Sequence, residues 1–257
     1  MSGPGLRGGW HRHGEKVLAA LAVALIALLG AYAPRLAGQD TVGGSGSAVG
    51  AGREAGPHAE IRELSTRQWN KMARAGMLRP ECPVRSRGTL RVVAINHYDF
   101  AGKVRRGKLV VNADVAESVV RIFSTLYEER FPIRRMQPVE SYDGDTNASL
   151  RADNTSAYNC RRADQINAPF TKSPHANGRA IDINPVENPW MDLRCDCWLP
   201  NAEHHARTGG PGKIVKRGLV WKLFRQEGWI WQNIDVPDYM HFDTGYPSGP
   251  FTPPAKS

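Results

Sequence analysis

Two histidines and two aspartates stand at spacings that could do chemistry. His175 and Asp182 lie in Ser173-Pro-His175-Ala-Asn-Gly178-Arg-Ala-Ile-Asp182, and Asp238 and His241 in Asp238-Tyr-Met-His241-Phe-Asp243. Two imidazoles and one carboxylate form the donor set of a catalytic zinc site, which keeps a fourth tetrahedral position for water. Water on such an ion ionises near neutral pH and becomes a nucleophile. A general base must then carry its proton. Asp238 stands three residues before His241, and a turn at Pro237 would bring it beside the water. His-x6-Asp alone is a weak signal, because an isolated His or Asp usually has a structural role. Specificity comes from the whole string combined with Asp-x-x-His.

These side chains need elements to hold them. Arg179 to Ile183 reads as a strand, with Ala180 and Asp182 on one face and Ile181 and Ile183 entering the core. Gly178 lets the chain turn tightly between His175 and that strand. Trp229 to Trp231 and Met240 to Phe242 read as the last strands. On the latter, Asp243 shares a face with His241 by alternation, where it would either orient the imidazole or form a surface salt bridge.

Upstream, Ser65 with Gln68 forms a capping box that opens a helix through about Ala75, closed by Gly76. Leu90 to Ile95 is β-branched and strand-like. Asn112 and Asp114 cap a helix whose apolar residues Val115, Val119, Ile122, Phe123 and Leu126 recur at helical spacing. Ile133 to Tyr142 and Ala157 to Arg161 are expected strands, and Leu219 to Phe224 an amphipathic helix that Gly228 ends. Residues 186–213 are rich in Pro, Gly and polar side chains and read as a long surface insertion beside the site. Short strands interrupted by helices predict an α+β fold with a small, mainly antiparallel sheet flanked by helices.

The chain has 257 residues, 41% apolar and 23% charged, which excludes wholesale disorder. Residues 1–37 read as a secretory signal peptide or an uncleaved signal-anchor. Arg7, Arg12 and Lys16 precede the apolar run Val17 to Ala33, which would span about 25 Å as a helix. Residues 38–60 read as a Gly/Ser/Ala-rich linker, leaving 61–257 as one domain, expected to be monomeric. Almost all of the net charge of +9 belongs to that domain, which suits an anionic partner. No basic run with interleaved aromatics is present, so nucleic acid is the weakest such partner. The chain is expected outside the cytoplasm, secreted or membrane-anchored. There an even count of cysteines favours disulfides. Cys195 and Cys197 stand too close in sequence to pair comfortably with each other; one arrangement ties each to a distant partner, Cys82 or Cys160, and free thiols are an alternative. The rival reading is a Cys-x-Cys metal site completed by His204 and His205.

The string from Ser173 to Asp182 resembles the zinc motif of the D-alanyl-D-alanine carboxypeptidase and dipeptidase family, the VanY/VanX-like (LAS-type) zinc peptidases. Asp238-Tyr-Met-His241-Phe resembles that family's base-plus-ligand motif. Asn154-Thr-Ser-Ala-Tyr-Asn-Cys-Arg161 resembles the upstream segment that supplies an Arg. The resemblance runs from about Val93 to Thr244. It implies Zn2+ held by His175, Asp182 and His241, with Asp238 as general base. It implies Arg161 as a carboxylate clamp or oxyanion stabiliser, suited to its planar fork, and Ser173 as a substrate contact. Arg161 is favoured over Arg162, which would face the other way on a strand. The base is Asp where several relatives have Glu, which shortens its reach. The implied activity is hydrolysis of peptidoglycan stem peptides, foremost as a D-alanyl-D-alanine carboxypeptidase. The alternatives are an endopeptidase of L-Ala-D-Glu type and an inert zinc-bearing module that binds the wall.

Overall fold

The computed structural model describes residues 56–165 and 173–255. The expected signal segment 1–37 and most of the linker lie outside the described residues. Among the described residues no helix is long and apolar enough to cross a membrane. The architecture is α+β.

The first described element is β1 (Glu60–Glu63), which begins at the last residue assigned to the linker. Helix α1 (Thr66–Arg74) follows, with the Ser65 Oγ accepting from the Gln68 N–H at 3.1 Å. Only half of the capping box forms, because the Gln68 side chain donates to Glu140 instead. Gly76, at φ +69°, closes the helix. Strands β2 (Leu90–Tyr98) and β3 (Val104–Asn112) pair antiparallel along their whole lengths, and β1 adds to the other edge of β2.

One face of this sheet, with Val93, Ile95, Leu109 and Val111, packs on helix α2 (Ala116–Glu128) through Val119, Ile122, Phe123 and Leu126. Leu90, Val92 and Val110 pack on the other face with Met72 of α1 and Tyr158. Strand β3 has no counterpart in the sequence reading. Its first part, Val104-Arg-Arg, is exposed and charged, and its apolar run is only Leu109 to Val111, too short to mark a nine-residue strand.

The expected strand from Ile133 to Tyr142 shrinks to β4 (Arg135–Met136) and a 3₁₀ turn at Val139–Tyr142. Pro138 has no N–H to give a ladder there. Helix α3 (Thr146–Arg151), capped by Asp145, follows and was not foreseen. The expected strand from Ala157 to Arg161 is also corrected. The regular pairing is β5 (Asn154–Thr155) against β4, with a bridge from Ser156 to Asp182. Beyond it the Tyr158 N–H bonds to Val110 and the Asn159 N–H to His175, so no single partner continues the ladder.

A second antiparallel sheet follows, in the order β6 (Ala180–Asp182), β10 (His241–Asp243), β9 (Ile230–Trp231). Ile181, Ile183 and Phe242 join the same core as α2, together with Phe224 of α4 (Leu219–Gln226). As expected, Gly228, at φ +85°, follows that helix.

The insertion is more ordered than its composition suggests. It contains a hairpin, β7 (Trp190–Asp192) with β8 (Cys197–Leu199). Fully buried Asn188 closes its base, donating to Ile183, Asn184 and Gly212 carbonyls and accepting from Ile214 N–H at 2.7 Å. Nearby, Glu187 meets Arg134 at 3.2 Å, while its other oxygen is buried without a donor. Burial first, and then the neighbouring Asp153, push the Glu187 carboxyl up to about 7. The folded chain thus keeps a proton that the unfolded chain releases in the ordinary carboxylate range. The stability that this proton confers is full below that range and is lost as pH rises through about 7. Glu187→Gln, which donates to Asp153 at any pH, is expected to gain about 1–2 kcal/mol at pH 8 and little at pH 4. Denaturant unfolding at the two pH values checks it.

The four cysteines form Cys82–Cys160 and Cys195–Cys197. The first joins residues near α1 to the segment carrying Arg161. The second corrects the expectation that close neighbours would seek distant partners. Asp196 takes a left-handed conformation (φ +50°) at the hairpin tip and brings the two Cα atoms to 5.2 Å, within ordinary disulfide range. Both sulfurs are consumed, which removes the Cys-x-Cys metal site.

Candidate metal centre

Three pieces of backbone carry His175, Asp182 and His241, the set expected above, to one point. His175 begins a 3₁₀ turn, His175–Asn177, closed by Gly178 at φ +71°. A Cβ on Gly178 would stand 2.7 Å from the Asn112 backbone nitrogen, so only glycine lets the turn press against the end of β3. Asp182 ends β6 and His241 begins β10, and the register places them directly opposite each other. Opposed residues project to the same face of a sheet.

The result is a triangle of donor atoms. His241 Nδ1 lies 3.1 Å from both His175 Nε2 and Asp182 Oδ1, and His175 Nε2 lies 3.3 Å from Asp182 Oδ1. The other ring nitrogens fix the tautomers. His175 Nδ1 faces the Ala157 carbonyl at 2.8 Å, which can only accept, so Nδ1 donates and the Nε2 lone pair faces inward. His241 Nε2 faces Asp243 Oδ2 at 3.0 Å, which leaves its Nδ1 lone pair facing inward. Asp243 is fully buried and its Oδ1 also accepts from Asn233 and the Gly245 N–H. It therefore orients the His241 imidazole, and the surface salt bridge is excluded.

Two lone pairs and a carboxylate oxygen converging in a buried site require positive charge. Burial raises the Asp182 pKa, but His175 and His241 outweigh it and hold the carboxyl well below the usual range. Burial likewise lowers that of His241, but hydrogen bonds to Asp182 and Asp243 raise it to about 10. A proton or a cation must sit among these atoms. The dimensions fit a metal: tetrahedral ligands about 2.0–2.1 Å from zinc stand about 3.3 Å apart. Among the described residues, His175, Asp182 and His241 form the group of this kind with mutually facing donor atoms.

The triangle floors a cavity of about 530 Å³. Arg161, Ser173 and Asp238 line it, as expected. Arg161 points its charge at Asp182 and Asp238, and its buried Nε has no hydrogen-bond partner. Arg162 instead pairs with Asp164 and the Asp143 carbonyl and does not line the cavity. Asp238 sits in the turn before β10, with its carbonyl accepting from the His241 N–H at 3.3 Å. Its Oδ1 is buried without a donor. Burial, reinforced by Asp182 and Asp243 against His241 and Arg161, pushes this carboxyl up to about 7.

Trp190, Asn233 and Tyr246 also line the cavity and were not singled out from the sequence. No short spacing ties Trp190 to the motif; only the hairpin brings it there. His204 and His205 lie apart from the centre, near Glu203 and Trp198 respectively.

No curated protein matches this chain, and no solved structure does. The residues that build the triangle and carry Asp238 nevertheless lie within one matched stretch, residues 167–244, and the family model that it matches is that of D-alanyl-D-alanine carboxypeptidase, the family that the motifs resemble.

Proposed function

We propose that this protein is a zinc-dependent peptidase that hydrolyses peptidoglycan stem peptides outside the cytoplasm, as a D-alanyl-D-alanine carboxypeptidase. The observation that carries the reading is the donor triangle whose two imidazoles are locked, by Ala157 and Asp243, with lone pairs inward. His175, Asp182 and His241 would hold the ion. When bound, zinc supplies Lewis acidity and an ionisable water.

The protein's own groups do the rest. Asp238 takes the proton of the attacking water and returns it to the leaving amine, a task that suits a carboxyl poised near neutrality. Arg161 clamps a substrate carboxylate or steadies the oxyanion with its planar donors. Ser173, buried at the cavity wall, holds the substrate beside His175. A terminal carboxylate as the partner of Arg161 favours exopeptidase action. The disulfides support an oxidising, extracytoplasmic setting. Stem peptides are the partner in this reading, with a membrane as a second one if the apolar segment is retained.

Mass spectrometry of defined muropeptides after incubation with the zinc-loaded chain tests it. Loss of a single terminal Ala is expected. Loss of a dipeptide or an internal cut of L-Ala-D-Glu type would replace the carboxypeptidase assignment. Zinc binding without any cleavage would replace it with a wall-binding module.

A further inference from the structure

We infer that the insertion between the two halves of the motif is a clamp that positions Asp238, with Trp198 and Arg207 as positioning residues acting through Tyr239. This rests on the reading of Asp238 as the general base.

Asp238 needs outside support. It lies between β9 and β10, in a stretch where neither neighbouring strand continues. A base that misses its mark by 1 Å can lose about 100-fold in rate. The insertion grips this stretch on both sides of Asp238. The Met191 N–H donates to the Pro237 carbonyl at 2.8 Å, and the Tyr239 N–H to the Pro189 carbonyl at 3.3 Å. Trp190 and Asp238 thereby form an antiparallel bridge that adds the turn to the hairpin.

Side chains complete the grip one residue away. The Tyr239 ring stacks on Trp198 of β8, with centroids 5.4 Å apart and planes at 19°. The Arg207 guanidinium carbon lies 4.4 Å from the same ring's centroid. Arg207 is itself tethered, donating to the carbonyls of Glu187 and His204 and to Asn188 Oδ1 at 2.8 Å. The Tyr239 carbonyl accepts from the Trp231 indole at 2.9 Å, so that residue is held from β9 as well. Trp198 and Arg207 do not line the cavity. The contact that each makes with the segment carrying Asp238 is to the Tyr239 ring.

The test uses the full zinc-loaded chain and Trp198→Ala, with Trp198→Phe as the conservative variant. Expected for Trp198→Ala is a kcat lower by about 10- to 100-fold, with KM and zinc content near those of the parent, and recovery in Trp198→Phe. In an Asp238→Ala background the same change should cost nothing further, because the group it positions is gone. Hydrogen exchange at the Met191 and Tyr239 amides should accelerate in Trp198→Ala. An unchanged kcat, or losses that multiply with those of Asp238→Ala, would overturn the clamp. If Trp198→Ala does not fold, Arg207→Met carries the same comparison. If the parent chain cleaves no stem peptide, the proposed function fails. The exchange rates then decide the clamp alone, and unchanged protection at both amides overturns it.

Discussion

Asp238→Ala is expected to lower stem-peptide hydrolysis by about 10²- to 10⁴-fold, the usual worth of a positioned acid or base, while zinc content stays at the parent level. The two readouts separate because Asp238 is not a corner of the donor triangle, which consists of His175, Asp182 and His241. Its carboxyl lines the cavity with one oxygen lacking a donor, and Arg161 keeps Asp182 as an anionic neighbour when Asp238 is removed. Metal analysis beside a rate assay checks it. Retained activity would show that another group moves the proton, and zinc loss would show that Asp238 supports the ligand set.

Asp182→Ala is expected to abolish stoichiometric zinc binding and hydrolysis together. Asp182 supplies the anionic corner of the triangle and neutralises half of the charge that a divalent ion brings. Without it, two neutral imidazoles remain, too few ligands for a stable zinc site. An ion bound only to the folded state also stabilises it, by about 2.7 kcal/mol at one hundred times its dissociation constant. Chelation should therefore lower the melting temperature of the parent and leave that of Asp182→Ala unmoved. A parent chain without zinc, whose melting temperature ignores chelators, would sink the metal reading.

Much of this centre was legible in the sequence because its determinants are local. The turn at Gly178, the strand through Ile181 and Ile183, and Asp-x-x-His each need only a few neighbouring residues to declare themselves. Asp243 was half legible: alternation put it on the face of His241, but only the packing of Asn233 and Gly245 around it distinguishes an orienting carboxylate from a surface one. The losses occur where the deciding partner is remote. Strand β3 is specified by β2 rather than by its own charged first half. Ala157 to Arg161 has strand-like composition, yet its hydrogen bonds go to Val110 and His175, from two different elements. The Cys195–Cys197 link depends on a left-handed residue that composition does not announce.

The register that sets His241 against Asp182 has one more consequence. Everything between these residues leaves from and returns to a single rung of one ladder. The spacing of these two donors is thereby set by one pair of strands, while the excursion, which carries Asp238, α4 and β9, builds the core and the cavity wall around them. Its outermost part, the β7–β8 tip at Cys195–Cys197, is the piece that can be exchanged without touching either strand of the rung.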